Sequence, residues 1–216
     1  FDPIRDFTFI SQLGTTHTVL VVHPSLPVKT VKELIAHAKA KPGALSYGSQ
    51  GLGTIGHIGW ERFKLMAGVD ILHVPYKGAA PAVIDTISGQ VQMTFSTTVT
   101  SGAHLRSGKL RGLAITSLRR GGAFPDMPTV AEAGVPGFEL ANSYNYFAPA
   151  GTPLAIVRAI NSVVSQGMNS SDTLKILAAD GSEVAAPATP EEFKTKFDRS
   201  YADLERLIKA SNIKFN

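Results

Sequence analysis

The residues of this chain whose types and spacing suit chemistry gather in 46–57, which reads SYGSQGLGTIGH. A short strand that passes through glycines into the first turn of a helix exposes several backbone N–H groups together, and such a turn binds anions. The glycines let a ligand approach the backbone, and Ser49 and Thr54 add hydroxyls able to orient a carboxylate or a phosphate. Two further loops share this make-up. Tyr76-Lys77-Gly78-Ala79-Ala80-Pro81 puts small residues and backbone donors at a helix start, and Ser96-Thr97-Thr98 is a polar strand end. In an open α/β sheet, ligands bind beyond the carboxyl ends of the strands, so the three loops are expected to converge on one edge.

Other chemistries fit less well. Gly51, Gly53 and Gly56 spell G-x-G-x-x-G, yet the acidic residue that should close the next strand and hold a ribose is missing: Asp70 opens that strand, and Val74-Pro75-Tyr76 ends it. A nucleophile elbow needs glycine where Tyr47 stands, so Ser49 is not a nucleophile of that type. His57, Glu61 and Lys64 fall at i, i+4 and i+7 on one helix face. For Glu61 and Lys64 a solvated, ion-paired stripe is expected, while His57 is near enough to the loop to touch a ligand there. Lys77 reads as an exposed loop lysine. No pair among the six histidines has a recognised metal-ligand spacing. A metal site is not expected, and hydrolase chemistry fits poorly because nothing orders the histidines and aspartates into a triad.

The elements that must position these loops alternate. Residues 7–13 and 18–22 read as two strands with a bend at Gly14 between them, and a helix is expected over 31–40, stopped by Lys41-Pro42-Gly43. A strand at 44–48 leads through the glycine loop to a helix over 54–67 closed by Gly68, then to a buried strand at 70–74. A helix begins near Pro81 and ends before Gly89, and a strand at 91–95, a polar turn at 96–101, a helix to Gly108 and a strand at 110–115 follow. Strands alternating with helices predict a largely parallel, helix-covered sheet. Residues 117–138 turn loop-rich, with one short helix at 129–133; an extended segment then spans 139–148, and helices are expected over 153–167, 172–179 and 190–211.

Composition bounds the answer. With 216 residues, 44% of them hydrophobic and 18% charged, the chain suits a folded protein with a sizeable core, in one domain or two lobes. The absence of cysteine excludes disulfides and thiolate zinc sites. The net charge of +4 comes from lysines and arginines scattered through separate segments, which argues for a solvated surface and against a nucleic-acid partner. No apolar run approaches the roughly 20 residues of a membrane-spanning helix, and no signal peptide is read. The opening FDPIRDFTFI has the texture of an interior loop, so the chain is expected to be a fragment.

Several blocks together resemble the tripartite tricarboxylate transporter receptors, also called Bug-type extracytoplasmic solute receptors: FDPIRDF (1–7), VVHPSLP (21–27), 45–57, HVPYKGAA (73–80), GQVQMTF (89–95), GKLRGLAIT (108–116), PDMPTVAEAGVPG (125–137) and FAPAGTP (147–153). The resemblance covers essentially the whole chain. It implies an α/β, two-lobed periplasmic binding protein fold, type II-like, that closes on a small carboxylated organic acid and delivers it to membrane transporter subunits, without catalysis or cofactor. The matching site positions are Ser49, Gly51, Gly53, Thr54 and His57 in the first loop, Gly78 and Ala79 in the second, and Ser96 and Thr97 in the third, with Tyr144 and Asn145 on a return crossing. Residues 20–138 would form the second, ligand-binding lobe, and 1–19 with 139–216 the remainder of the first. Family members carry an N-terminal segment with a P-G-G loop that builds half of the carboxylate site; this chain is expected to start after it, leaving the first lobe incomplete. A swapped dimer is one expected consequence. The alternatives are a nucleotide-binding α/β enzyme and the effector domain of a transcription regulator.

Overall fold

The computed structural model describes residues 2–121, 124–179 and 181–211. Phe1 of the opening block, residues 122–123 of the loop-rich passage, and residues 180 and 212–216 of the expected remainder of the first lobe lie outside them. The chain forms two compact units, Phe1–Thr16 with Asn142–Lys209, and His17–Ala141 with Ala210–Asn216.

Strand β1 (Phe7–Val22) contributes its first half to one unit and its second half to the other. The expected bend does not occur, since β1 is one strand of 16 residues. Gly14 provides room instead of a turn. A Cβ there would sit 2.6 Å from the Glu183 carbonyl oxygen, on the antiparallel strand that pairs Gly14 with Val184 and Thr16 with Ser182.

In the unit of His17–Ala141, the strands are ordered β3-β2-β4-β1-β5, with β2 (Ser46–Ser49), β3 (Leu72–Pro75), β4 (Met93–Thr97) and β5 (Arg111–Ile115). β2 runs parallel to β3 and β4, whereas β1 is antiparallel to β4 and β5. The alternation of strands with α1 (Val31–Ala40), α2 (Ile55–Ala67), α3 (Ala79–Ile87) and α4 (Thr98–Arg106) thus gives a mostly parallel sheet with one reversed strand. Because side chains alternate along a strand, the apolar run of β1 serves two layers. Leu20 and Val22 pack with Trp60, Phe63, Phe95 and Phe138, while Val19 and Val21 pack with Val83, Leu110 and Ile115.

Local chemistry sets several helix ends. Thr30 caps α1 by accepting from the Glu33 N–H, and Gly68 closes α2 in the left-handed conformation. Two expectations need correction. β3 is an edge strand with Leu72 56% exposed, because among the described residues only β2 pairs with it. The helix expected at 129–133 is a single turn. Thr129 and Glu132 do form a reciprocal capping box, but Gly134 at φ 137° and Pro136 stop it at once.

In the other unit, β6 (Ala141–Pro149) and β7 (Ser182–Val184) both pair with β1. β7 was not expected, since three residues carry too little pattern to stand out. Helices α5 (Leu154–Met168), α6 (Ser171–Ala179) and α7 (Pro190–Ser211) complete it. Its core is aromatic. The Phe9 ring lies 5.3 Å from Phe147, 5.6 Å from Phe193 and 5.0 Å from Phe197, the last two meeting edge to face one turn apart on α7.

Candidate functional site

Since β2, β3 and β4 point the same way, their carboxyl ends at Ser49, Pro75 and Thr97 meet one edge of the sheet. The reversed β1 reaches that edge at Thr18, which pairs with Thr97. The first two loops touch each other. The Tyr76 N–H donates to the Ser49 carbonyl at 3.0 Å, and a Cβ on Gly51 (φ 129°) would come 3.2 Å from the Tyr76 carbonyl oxygen.

Two of the three helices starting at this edge have no side-chain cap. The Thr54 hydroxyl turns back to donate to the Gly51 carbonyl at 2.7 Å and leaves the first turn of α2 uncapped. Gly78 has no side chain to offer α3. The third helix differs, because the Thr97 hydroxyl accepts from the Thr100 N–H at 3.2 Å and caps α4. The edge therefore presents two neighbouring helix N-termini whose partial positive charge no side chain of the cap position answers.

Ser49 and His57 hold the first loop from below. Ser49 is 1% exposed, and its hydroxyl lies 2.6 Å from His73 Nε2 while accepting from the Gly51 N–H at 3.2 Å. His57, also buried, accepts from the Gly53 N–H at Nδ1, 3.1 Å away, and stacks on His73 with ring centroids 4.1 Å apart. Burial pushes the pKa of both imidazoles down, His73 to about 4, where the neighbouring His57 adds to the effect. Ser96 is buried, with its hydroxyl directed to the Thr97 carbonyl at 3.4 Å. Tyr144 and Asn145 belong to the other unit, on β6. Tyr144 is half exposed; Asn145 donates to Ser143 Oγ at 3.1 Å, and its Oδ1 is buried without a hydrogen-bond partner among the described residues.

The expected solvated stripe needs revision at Glu61, which is buried. Its carboxylate accepts from the Tyr47 hydroxyl at 2.9 Å and from Lys64 at 2.8 Å. Burial and that carboxylate push the Tyr47 hydroxyl far above its ordinary pKa. Sequence reasoning named neither His73 nor Tyr76 as a site residue. The signal for His73 was strand parity: Tyr47 and Ser49 share a face of β2, and the parallel register sets His73 opposite Tyr47. Tyr76 braces the second loop by donating to Asp85 Oδ2 at 2.8 Å, with its pKa raised to about 12 by burial first and by Asp85 second.

A cleft of about 800 Å³ lies elsewhere in this unit, lined by Lys29, Lys32, Phe124 and Met127 among others, and none of the three loops lines it. Among the described residues no group of three or more His, Cys, Asp or Glu side chains is placed to hold a metal ion.

This fold, with strand-to-helix loops meeting at one sheet edge, is that of the periplasmic solute-binding proteins. Residues 1–213 match the pattern of the tripartite tricarboxylate transporter family receptor, and the chain belongs to that family. It is similar to protein BugT of Bordetella pertussis, at 35% identity over 189 residues, covering 88% of this chain and 58% of BugT. It is also similar to two solved structures. One, R. palustris Rpa4515 with adipate, has a TM-score of 0.87 and 37% identity over 99% of this chain and 71% of that one. The other, MatC from Rhodopseudomonas palustris with bound malate, has a TM-score of 0.82 and 28% identity over 96% of this chain and 71% of that one. The chain spans about three fifths of the length of the curated relatives it matches. The family and its solved neighbours are binding receptors, not enzymes, which sets aside the nucleotide-dependent enzyme as an account of the 51–56 glycines.

Proposed function

We propose that this chain binds a small organic-acid anion at the edge formed by its first two strand-to-helix loops, as part of a periplasmic receptor that passes the acid to the membrane subunits of a tripartite tricarboxylate-type transporter. The observation that carries this reading is the pair of adjacent, uncapped helix N-termini of α2 and α3. Backbone N–H groups there carry partial positive charge, and two such termini suit the two oxygens of one carboxylate. Gly51, Gly53, Thr54, Gly78 and Ala79 then contact the ligand through backbone or hydroxyl donors. Ser49 and His57 act on it through the loop, and Ser96 and Thr97 flank it. Tyr144 and Asn145 are proposed as ligand residues of their own unit, an accessible phenol and an amide whose Oδ1 has no hydrogen-bond partner among the described residues. Adipate and malate in the two similar structures are dicarboxylates, which supports the same class of ligand here.

Calorimetric titration with acetate, malate, adipate and citrate tests the reading. A di- or tricarboxylate is expected to bind with one-to-one stoichiometry. Ser49→Ala and Thr54→Ala, which loosen the loop, should each weaken binding by about 1–3 kcal/mol. No binding of any carboxylate, or unchanged affinity in both variants, would overturn the assignment of this edge. Recovery of the protein in a periplasmic fraction checks the location.

A further inference from the structure

Anion binding alone does not account for the imidazoles beneath the glycine loop. His57 of α2 and His73 of β3 lie nearly parallel, 10° apart, with centroids at 4.1 Å. Each supports one loop amide: His57 Nδ1 accepts the Gly53 N–H directly, and His73 Nε2 holds the Ser49 hydroxyl that accepts the Gly51 N–H. Among the described residues, the groups around the pair are few. From β2 come Ser49 and Tyr47, whose ring stacks 4.8 Å from His73 and whose hydroxyl is committed to Glu61. From α2 come Glu61 and Lys64, which pair with each other at 2.8 Å and act on the imidazoles in opposite senses. No carboxylate hydrogen-bonds either ring among the described residues.

We propose that the stacked His57 and His73 rings are a neutral strut that positions the glycine loop, and that their protonation in acid releases the loop and the carboxylate it holds. The release half of this proposal rests on the anion-binding reading of the loop. Protonating His57 Nδ1 turns an acceptor into a donor facing the Gly53 N–H, and a second proton on His73 sets two like charges about 4 Å apart, one on the buried His57 and one on the partly buried His73. A cation near the loop also attracts an anion. That attraction loses, because the lost acceptor displaces the amides that do the binding. The lowered pKa values agree with a pair kept neutral. The sign follows from linkage: between pH 6.5 and about 4 the unfolded chain binds more protons than the folded one, so stability is full above 6.5 and falls as the pH drops through that window.

The test is an NMR titration of the full chain from pH 8 to 4, paired with calorimetry using malate at pH 7.5 and 5. Of the six histidines, His73 should stay neutral until well below pH 6 and His57 should titrate below the ordinary imidazole value, and the Gly51 and Gly53 amide signals should move with them. The double variant H57Q/H73F keeps an acceptor for Gly53 and a ring at 73 but cannot titrate. Its acid-induced loss of affinity should be roughly tenfold smaller than that of the unaltered chain, the ligand's own protonation being common to both. His57 and His73 titrating at the ordinary imidazole value, loop amides that do not follow them, or an equal acid loss in the variant would overturn the proposal. Should malate not bind at pH 7.5, adipate or citrate takes its place in the calorimetry; if none of them binds, the carboxylate reading fails at that point, and the amide signals alone decide whether the strut exists.

Discussion

Gly51 and Tyr47 illustrate two ways a single residue shapes this site. At φ 129° and facing the Tyr76 carbonyl at 3.2 Å, Gly51 occupies a conformation and a space that alanine enters only with strain. Gly51→Ala is therefore expected to cost about 1–3 kcal/mol in chemical denaturation and to weaken carboxylate binding, since the backbone donors move with it. Wild-type affinity in a folded variant would show that the loop does not touch the ligand. Tyr47 works from beneath, its hydroxyl on the buried Glu61. Tyr47→Phe removes that bond while Lys64 still satisfies the carboxylate, so the expected loss is about 1–2 kcal/mol in melting experiments, with the loop left in place. Residue types alone marked Ser49, Thr54 and His57 as belonging to one loop. They did not show that the Ser49 hydroxyl is directed to His73, because that direction depends on a residue 24 positions away on another strand.

At the scale of elements, capping separates α4 from α2 and α3. Thr97→Val should cost about 1 kcal/mol by removing the cap of α4, read by thermal denaturation, with carboxylate affinity unchanged if ligand binds only at the two uncapped helices. A loss of affinity would bring Thr97 into the site as a direct contact. Gly14 offers a test in the other unit. Gly14→Val pushes a side chain into the Glu183 carbonyl, so β7 should separate from β1, with amide exchange at 182–184 rising and stability falling by about 1–3 kcal/mol. Unchanged exchange there would mean that the strands adjust without cost. Helices were the most legible elements. Thr30 and Gly68, the proline at 190 and the 3.6-residue spacing of apolar side chains are local signals, and they place the ends of α1, α2 and α7. β1 was less so, since whether a glycine between two apolar runs makes a bend or admits a neighbour depends on that neighbour.

For the whole molecule, ligand and stability are linked. A carboxylate that binds only the folded chain should raise its melting temperature, adding about 2.7 kcal/mol at a hundred times the dissociation constant. The uncharged diamide of adipic acid, similar in shape, should give no shift, because helix N-termini reward negative charge. Equal shifts with adipate and its diamide would argue that shape alone is recognised, contrary to the role given to α2 and α3. Family membership places the chain among receptors, and these measurements address what this chain itself binds.

The sequence by itself determined the alternation of strands and helices, the three small-residue loops at helix starts and the family to which they belong, because these rest on local propensity, capping and motif spacing. Tertiary structure alone decided the reversal of β1 within the sheet, the commitment of Ser49 and His57 to holding the loop, and the stacking of His57 on His73. Each of these depends on strand order and register, which bring residues distant in the chain within hydrogen-bonding or stacking distance, and no local pattern specifies those choices.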